Sequence, residues 1–265
     1  MRIFILTMED PVFTLPFIKE IVDKRSGDIV GIGISKGGRL TPGKKRSKIL
    51  YLISLLLIMG IFHYIKYAWI TLSYKTRKKL SNKIKCIPDP SILAYADTKG
   101  IKTFKIKNPN NKKFLAELKK LDIDIIINQS QSILKKSFLE LPKIGILNRH
   151  NALLPVNRGR LTPFWVLYRG EKETGVSIHF VDEGVDSGDI IVQEKYEVCK
   201  NDTFASLVKK NYEIAPRAML NALDMLESGN YTLIPNDDRF STYNSTPTFK
   251  QALKFRWQRT WRLLL

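Results

Sequence analysis

Cysteine is scarce in this 265-residue chain: Cys86 and Cys199 stand far apart, with no CxxC spacing. That excludes a disulfide framework and a thiolate zinc site, and it fits a reducing compartment. Histidine is nearly as rare, so any imidazole chemistry must come from His63, His150 or His179. Long apolar runs are short of what a membrane span asks. The N-terminal MRIFILTMEDPVF has a brief apolar stretch followed at once by acids, which reads as a first strand rather than a signal peptide. The longest run, residues 49–65, sits at the lower limit for a span. Repeats and low-complexity tracts are absent, and a hydrophobic fraction of 44% with 10% aromatics excludes wholesale disorder.

Acidic residues are missing from two particular places. Residues 36–85 hold 13 Lys and Arg and no acid, and residues 250–265 hold five more and no acid. Elsewhere the basic and acidic residues nearly balance, so the net charge of +19 belongs to these two segments. Local basicity of this kind implies a local anionic partner: a phosphorylated substrate, a membrane surface or RNA.

What is present is an alternation of strand and helix patterns. Strands are predicted over 2–7, 28–35, 102–106, 123–128, 144–148, 175–181 and 189–198. Helices are predicted over 16–23, 90–98, 111–121, 163–168 and 203–228. The last carries a bend before Pro216, an N-cap at Asp202 and a C-cap at Gly229. Apolar strands separated by helices give an α/β, doubly wound, mainly parallel sheet. Residues 1–200 form the catalytic domain, interrupted by a basic, apolar helical insertion at 36–85 after a break at Gly37, Gly38 and Pro42; residues 201–265 form a C-terminal helix and a basic aromatic tail. The run VGIGISKGG superficially resembles a dinucleotide fingerprint. Gly31 and Gly33 lie inside the second strand instead of in the turn after the first, so nicotinamide binding is not expected.

The chemistry concentrates in residues 144–192. An apolar strand runs into Asn148-Arg149-His150, and in an extended strand residues two apart project to one face. Pro155 and Arg158-Gly159 then turn the chain away, leaving a polar pair at the C-terminal end of a parallel strand, where open α/β sheets place ligands. The loop Asp182-Glu183-Gly184-Val185-Asp186-Ser187-Gly188-Asp189 can return a carboxylate to the imidazole. Asn, His and Asp together suit acyl transfer to an amine without a covalent enzyme intermediate. Asn148 and protonated His150 donate to a developing oxyanion, and Asp186 raises and orients the imidazole or takes the amine proton.

This block resembles the folate-dependent formyltransferases, which act on glycinamide ribonucleotide, methionyl-tRNA or nucleotide-linked sugar amines. The resemblance rests on Asn148-Arg149-His150, Ala152-Leu153-Leu154-Pro155, Arg158-Gly159, Thr174-Gly175-Val176-Ser177-Ile178-His179 and Asp186-Ser187-Gly188. It is strongest over 122–198. It implies a Rossmann-like fold, 10-formyltetrahydrofolate as formyl donor, a catalytic set of Asn148, His150 and Asp186, and a folate pocket at Ser132, Ile133, Leu134, Asp182 and Gly184. No metal is implied. Arg149 departs from the family pattern, where the middle position is apolar. Only 65 residues follow Lys200, too few for the second β-rich domain of methionyl-tRNA enzymes. The first strand is followed by Met8-Glu9-Asp10-Pro11 in place of the glycine-rich phosphate loop of glycinamide ribonucleotide enzymes. An amino sugar on a nucleotide or lipid carrier is therefore the expected acceptor. The alternatives are a methionyl-tRNA-type acceptor, formylfolate hydrolysis, or a non-catalytic membrane-bound relative. The segment Thr242-Tyr243-Asn244-Ser245-Thr246-Pro247 resembles the end of some sugar-type members.

Several residues carry plainer readings alongside. His179 is either a buried hydrogen-bonding residue or a contributor to the site, and His63 has no chemical role. Asp182, Asp186 and Asp189 all suit turns beside glycine, and Asp189 is assigned to one. Residues 49–65 form either a helix buried between sheet layers or an interfacial helix or shallow hairpin on an anionic membrane. A membrane position would be peripheral, on the cytoplasmic face, with RNA a weaker partner than lipid because it gives the apolar run no role.

Overall fold

A computed structural model of the chain describes residues 1–35 and 47–262. The break expected at Gly37, Gly38 and Pro42 and the three terminal leucines lie outside them. Seven strands form the central sheet: β1 (Ile3–Met8), β2 (Ile29–Ser35), β3 (Thr103–Ile106), β4 (Ile125–Asn128), β5 (Gly145–His150), β7 (Glu173–Phe180) and β8 (Ile190–Glu197). Their order is β3-β2-β1-β4-β5-β7-β8. The first five are mutually parallel, and β7 runs antiparallel to both β5 and β8. A small second sheet pairs β6 (Arg158–Gly159) with β9 (Tyr243–Asn244).

The β1 sequence IFILTM is buried at every position, as a parallel strand covered on both faces must be. Alternation then sorts its side chains. Ile3 and Ile5 join a core with Phe17, Ile18 and Ile21 of α1 (Thr14–Arg25), Ile92 and Ala96 of α4 (Ile92–Thr98), and Ala215, Met219 and Leu223 of α8 (Phe204–Ser228). Phe4 and Leu6 join the opposite core with Leu115 and Leu118 of α5 (Lys112–Lys119) and Phe138 of α6 (Lys136–Leu139). The sheet is therefore wound on both sides, the Rossmann-like arrangement.

The glycines of β2 serve packing. A Cβ on Gly31 would come within 3.1 Å of the Phe4 ring, and one on Gly33 would run into Ile106 Cδ1 and within 3.0 Å of Phe4 Cζ. Both glycines thus make room for a fully buried phenylalanine.

At α8 the N-cap is Thr203 and not Asp202. Thr203 is the residue with extended backbone, and its hydroxyl accepts from the Ser206 N–H in a reciprocal capping box. Asp202 braces the same turn from outside, accepting from Cys199 N–H at 2.8 Å and from Lys210 Nζ at 2.7 Å. The C-cap at Gly229 is left-handed, with φ 70°.

The apolar run 49–65 is not one element. Gly60, with φ 78°, separates α2 (Lys48–Met59) from α3 (Ile61–Ser81). α2 is not buried between sheet layers. Its Tyr51, Leu55, Ile58 and Met59 pack with Phe164 and Trp165 of α7 (Thr162–Arg169), the start of α8, and Ala252 and Phe255 of α9 (Phe249–Arg262). Its other side faces out, and α3 has no buried residue at all. No helix among the described residues is long and apolar enough to cross a membrane.

Gly33→Ala should destabilise the fold by about 1–3 kcal/mol, the scale of overpacking a close-packed core. Urea denaturation reads this directly, and a stability equal to wild type would remove the packing role assigned to Gly33.

Candidate functional site

The site forms where β4, β5 and β7 end together. Asn148 stands opposite His179 in the β5–β7 ladder, and His150 stands opposite Ser177. Residues two apart on β5 and their partners on β7 share a face, so Asn148, His150, Ser177 and His179 form one polar square. Arg149 and Ile178 point to the other face.

Asp186 enters this square from the loop after β7, in a left-handed conformation with φ 51°. Its Oδ2 lies 3.3 Å from His150 Nδ1 and accepts from Gly159 N–H at 2.9 Å. Its Oδ1 accepts from Asn148 Nδ2 at 3.4 Å and lies 3.6 Å from His179 Nε2. The sequence-predicted trio Asn148, His150 and Asp186 is thus brought to one point. His179 joins it: its Nδ1–H donates to the Phe180 carbonyl at 2.6 Å, which leaves Nε2 to accept from Asn148 Nδ2 at 3.3 Å.

Glycines let the backbones converge. A Cβ on Gly188 would run into the carbonyl of Phe180, and one on Gly159, at φ 97°, into the carbonyl of Asn244. The loop carrying Asp186 and the β6 turn that supplies its N–H can close only with glycine at these two places.

The electrostatics are asymmetric. Burial works to raise the Asp186 carboxyl, but His150, His179 and the Gly159 N–H outweigh it and hold it well below the usual carboxylate range. For His150, burial is the largest influence and pushes the imidazole below its ordinary value, against the pull of Asp186 and of the Asn157 carbonyl. His150 Nε2–H donates to that carbonyl at 2.8 Å. A singly protonated ring therefore presents its Nδ1 lone pair beside an ionised carboxylate. The pair is arranged to receive a proton, because a second proton on Nδ1 is at once stabilised by Asp186.

The residue that departs from the family pattern orients Asn148. Arg149 is buried with its guanidinium carbon 4.1 Å from the Tyr212 ring centre and 5.0 Å from that of Phe17. Its Nε donates to Gln129 Oε1 at 3.2 Å and its Nη2 to the Tyr212 hydroxyl at 2.8 Å. With Oε1 held there, Gln129 Nε2 faces Asn148 Oδ1 at 3.4 Å, and the Asn148 amide hydrogens are turned toward His179 and Asp186.

Sequence reasoning missed four supports. Gln129 is one. Ser177 clamps the turn after β5, donating to the Ala152 carbonyl at 2.7 Å and accepting from Leu154 N–H at 3.0 Å. Asn236 donates to the carbonyls of Asp186 and Gly188, both at 2.9 Å. Asn157 supplies the His150 acceptor and is itself fixed by Arg169 and by Asn244 of β9. The segment 242–247 therefore braces the site from behind. Thr242 Oγ1 accepts from Asn157 N–H at 2.8 Å, and β9 pairs with Arg158–Gly159. Its content of Thr, Asn and Ser was the signal that the sequence offered.

Asn148, His150, His179 and Asp186 open on a cavity of about 680 Å³. One wall is Ser130–Leu134, the next Val181–Asp186, and Phe13, Arg149, Arg160, Tyr212 and Tyr243 complete it. Ser132, Ile133, Leu134, Asp182 and Gly184 all line this space. Asn110 pins the first loop through the Ile133 carbonyl and the Lys135 N–H, each at 2.8 Å. Asp182 stabilises its own loop, accepting from Gly184 N–H at 3.0 Å and Ser187 Oγ at 2.7 Å. Asp189 is exposed and outside the cavity wall. No metal-binding cluster occurs among the described residues.

A family model described as "Formyl transferase" matches residues 72–223. This chain belongs to the formyl transferase family. Methionyl-tRNA formyltransferase of Kosmotoga olearia is 38% identical over 160 residues, which cover 60% of this chain and 51% of that protein. The chain spans about half the length of such curated relatives. In fold it resembles glycinamide ribonucleotide transformylase 1 from Symbiobacterium toebii, with TM-score 0.58 and 18% identity over 89% of this chain and 92% of that one. It also resembles the N-formyltransferase from Helicobacter canadensis, solved in complex with folinic acid and dTDP-3-aminofucose, with TM-score 0.58 and 16% identity over 97% of this chain and 80% of that one. The family match begins inside α3, so β1, β2 and α2 lie outside the matched residues.

Asp186→Asn should lower the His150 imidazole pKa further, because the carboxylate is what opposes burial there. Ring nitrogen shifts followed by NMR across pH give the reading. An unchanged or raised His150 value would break the coupling described.

Proposed function

We propose that the chain transfers a formyl group from 10-formyltetrahydrofolate to the primary amine of an amino sugar carried on a nucleotide or a lipid. The observation that carries this reading is the meeting of Asn148, His150 and Asp186 at one end of a single cavity whose walls are the two loops expected to hold the folate. Those loops fit a flat heterocycle. Ile133 and Val185 are apolar side chains left 86% and 51% exposed in the cavity wall, surfaces that a bound ring system would cover.

The bound folate supplies an activated formyl group. Attack by the acceptor amine forms a new carbon–nitrogen bond and places negative charge on the formyl oxygen. Asn148, whose Nδ2 hydrogens rest on His179 and Asp186 in the free site, gives one of them to that oxygen. The amine proton passes to the His150–Asp186 pair, directly or through one water, and is held at His150 Nδ1 against the Asp186 carboxylate. Collapse breaks the bond to the folate nitrogen, and the same pair returns the proton to it. Gln129 and Arg149 hold the Asn148 amide in its donating orientation throughout.

The fold is shared with the Helicobacter canadensis enzyme, solved with dTDP-3-aminofucose, over 97% of this chain. Arg160 in the cavity wall suits a phosphorylated carrier. A second reading, transfer to methionyl-tRNA, is favoured by the identity to the Kosmotoga olearia protein.

The test is a formyl-transfer assay with 10-formyltetrahydrofolate against nucleotide-linked amino sugars, lipid-linked amino sugars, methionyl-tRNA and no acceptor. Transfer to an amino sugar is expected. Transfer to tRNA alone, or formate release with no acceptor requirement, would overturn the acceptor. His150→Ala, Asn148→Ala and Asp186→Ala should each lower kcat by at least about a hundredfold, the scale of losing an oxyanion donor or an acid–base group. A folded His150→Ala protein with near wild-type turnover would sink the mechanism.

A further inference from the structure

We infer that the outer surface of the α2–α3 insertion, extended by α9, is a docking face for an anionic lipid bilayer. α3 is amphipathic in an unusual sense. Its inner side, at Tyr64, Tyr67, Thr71, Tyr74 and Lys78, is half-buried against the body. The Tyr67 ring packs on Phe13 at 5.3 Å, and Tyr74 and Lys78 both bond Glu9. The opposite side carries Ile61, Phe62, Ile65, Trp69 and Leu72, the spacing of one helical stripe, and leaves all five more than half exposed, with Phe62 at 85% and Trp69 at 67%. By the same spacing Lys66 and Arg77 flank the stripe on one side and Lys75 on the other.

Neighbouring elements continue this surface. α2 exposes Ile49, Leu52 and Ile53. α9 exposes Leu253 and Trp257 beside Arg256, whose Nε donates to the Leu57 carbonyl next to the α2–α3 junction. An apolar patch of this extent is uncommon on a monomer without a partner.

Charge chooses the partner. Residues 36–85 contain 13 basic residues and no acid, and 250–265 contain five and none. An isologous contact with a second copy would set this basic surface against itself. RNA would use the lysines but give the apolar stripe no role. An anionic bilayer uses both, with the stripe and tryptophans in the headgroup boundary and the lysines among the lipid charges. Because Phe13 lines the cavity and also touches the inner side of α3, docking would hold the cavity within about one helix diameter, ~10 Å, of the lipid. The docking itself does not depend on which amine is formylated.

The experiment is flotation of the full chain with vesicles of neutral phosphatidylcholine or of phosphatidylcholine with phosphatidylglycerol, at low and high salt. The protein should float with the anionic vesicles at low salt and at least about fivefold less at high salt or with neutral vesicles. Phe62→Ser with Trp69→Ser, and separately Lys66→Glu with Arg77→Glu, should each abolish flotation while the thermal melt and formyl transfer to a water-soluble acceptor stay unchanged. Absence of flotation at low salt overturns the proposal. So does flotation unaffected by either variant. A wild-type dimer that becomes monomeric in Phe62→Ser/Trp69→Ser, or RNA retardation lost in Lys66→Glu/Arg77→Glu, each without flotation, would assign the surface to self-association or to RNA.

Discussion

The Asp186 carboxylate is where four separated stretches of the chain are tied together. One oxygen lies against His150 on β5 and the Gly159 N–H of the β6 turn; the other meets Asn148 and His179 across the β5–β7 ladder. The backbone of the same residue is held by Asn236, far downstream. An ionised carboxyl so deep in the protein is tolerable only while the Gly159 N–H and the Asn148 amide remain in place to donate to it. Loss of any one would weaken the others, because each is positioned partly by the shared anion. This is why the surrounding sequence tolerates so little freedom: Gly159 and Gly188 are required by backbone contacts, and Asn157, Ser177 and Asn236 by the hydrogen bonds that aim the loops.

Much of the sheet was legible in the sequence. Its strands are short apolar runs bounded by helical patterns, and their order of alternation follows local rules. The polar trio was legible too, because two of its members lie on one strand and the third in a glycine-punctuated acidic loop. The supports were not, since their role depends on distant partners. Asn157 matters through His150, Arg169 and Asn244, and no local pattern announces that. The same holds for α9, whose Ala252 and Phe255 are buried only because α2 is there to cover them. Thr203 displaced Asp202 as N-cap for a subtler reason: both residue types cap well, and it is Thr203 that forms the reciprocal box with Ser206. The apolar run of 49–65 left a buried helix and an interfacial helix or shallow hairpin open, because composition alone does not choose between them. A single glycine with positive φ divides it into a helix packed on the body and a helix laid over it.

The insertion follows a strand of the sheet without disturbing it. Residues Ile32 to Ser35 of β2 keep their pairing with β3, and the cores above and below β1 are filled by elements other than α2 and α3. α2 instead builds a third core with α7, the start of α8 and α9. The basic C-terminal segment and the basic insertion are thus physically one assembly, although they lie far apart in the chain.

That division at Gly60 has an evolutionary consequence. The α2 half is anchored: its side chains share a core with α7 and α8, whose neighbours reach the site, so substitutions there propagate to the chemistry. The outward stripe of α3 touches nothing that the chemistry needs. Selection can therefore rewrite that stripe without disturbing the packing around the site.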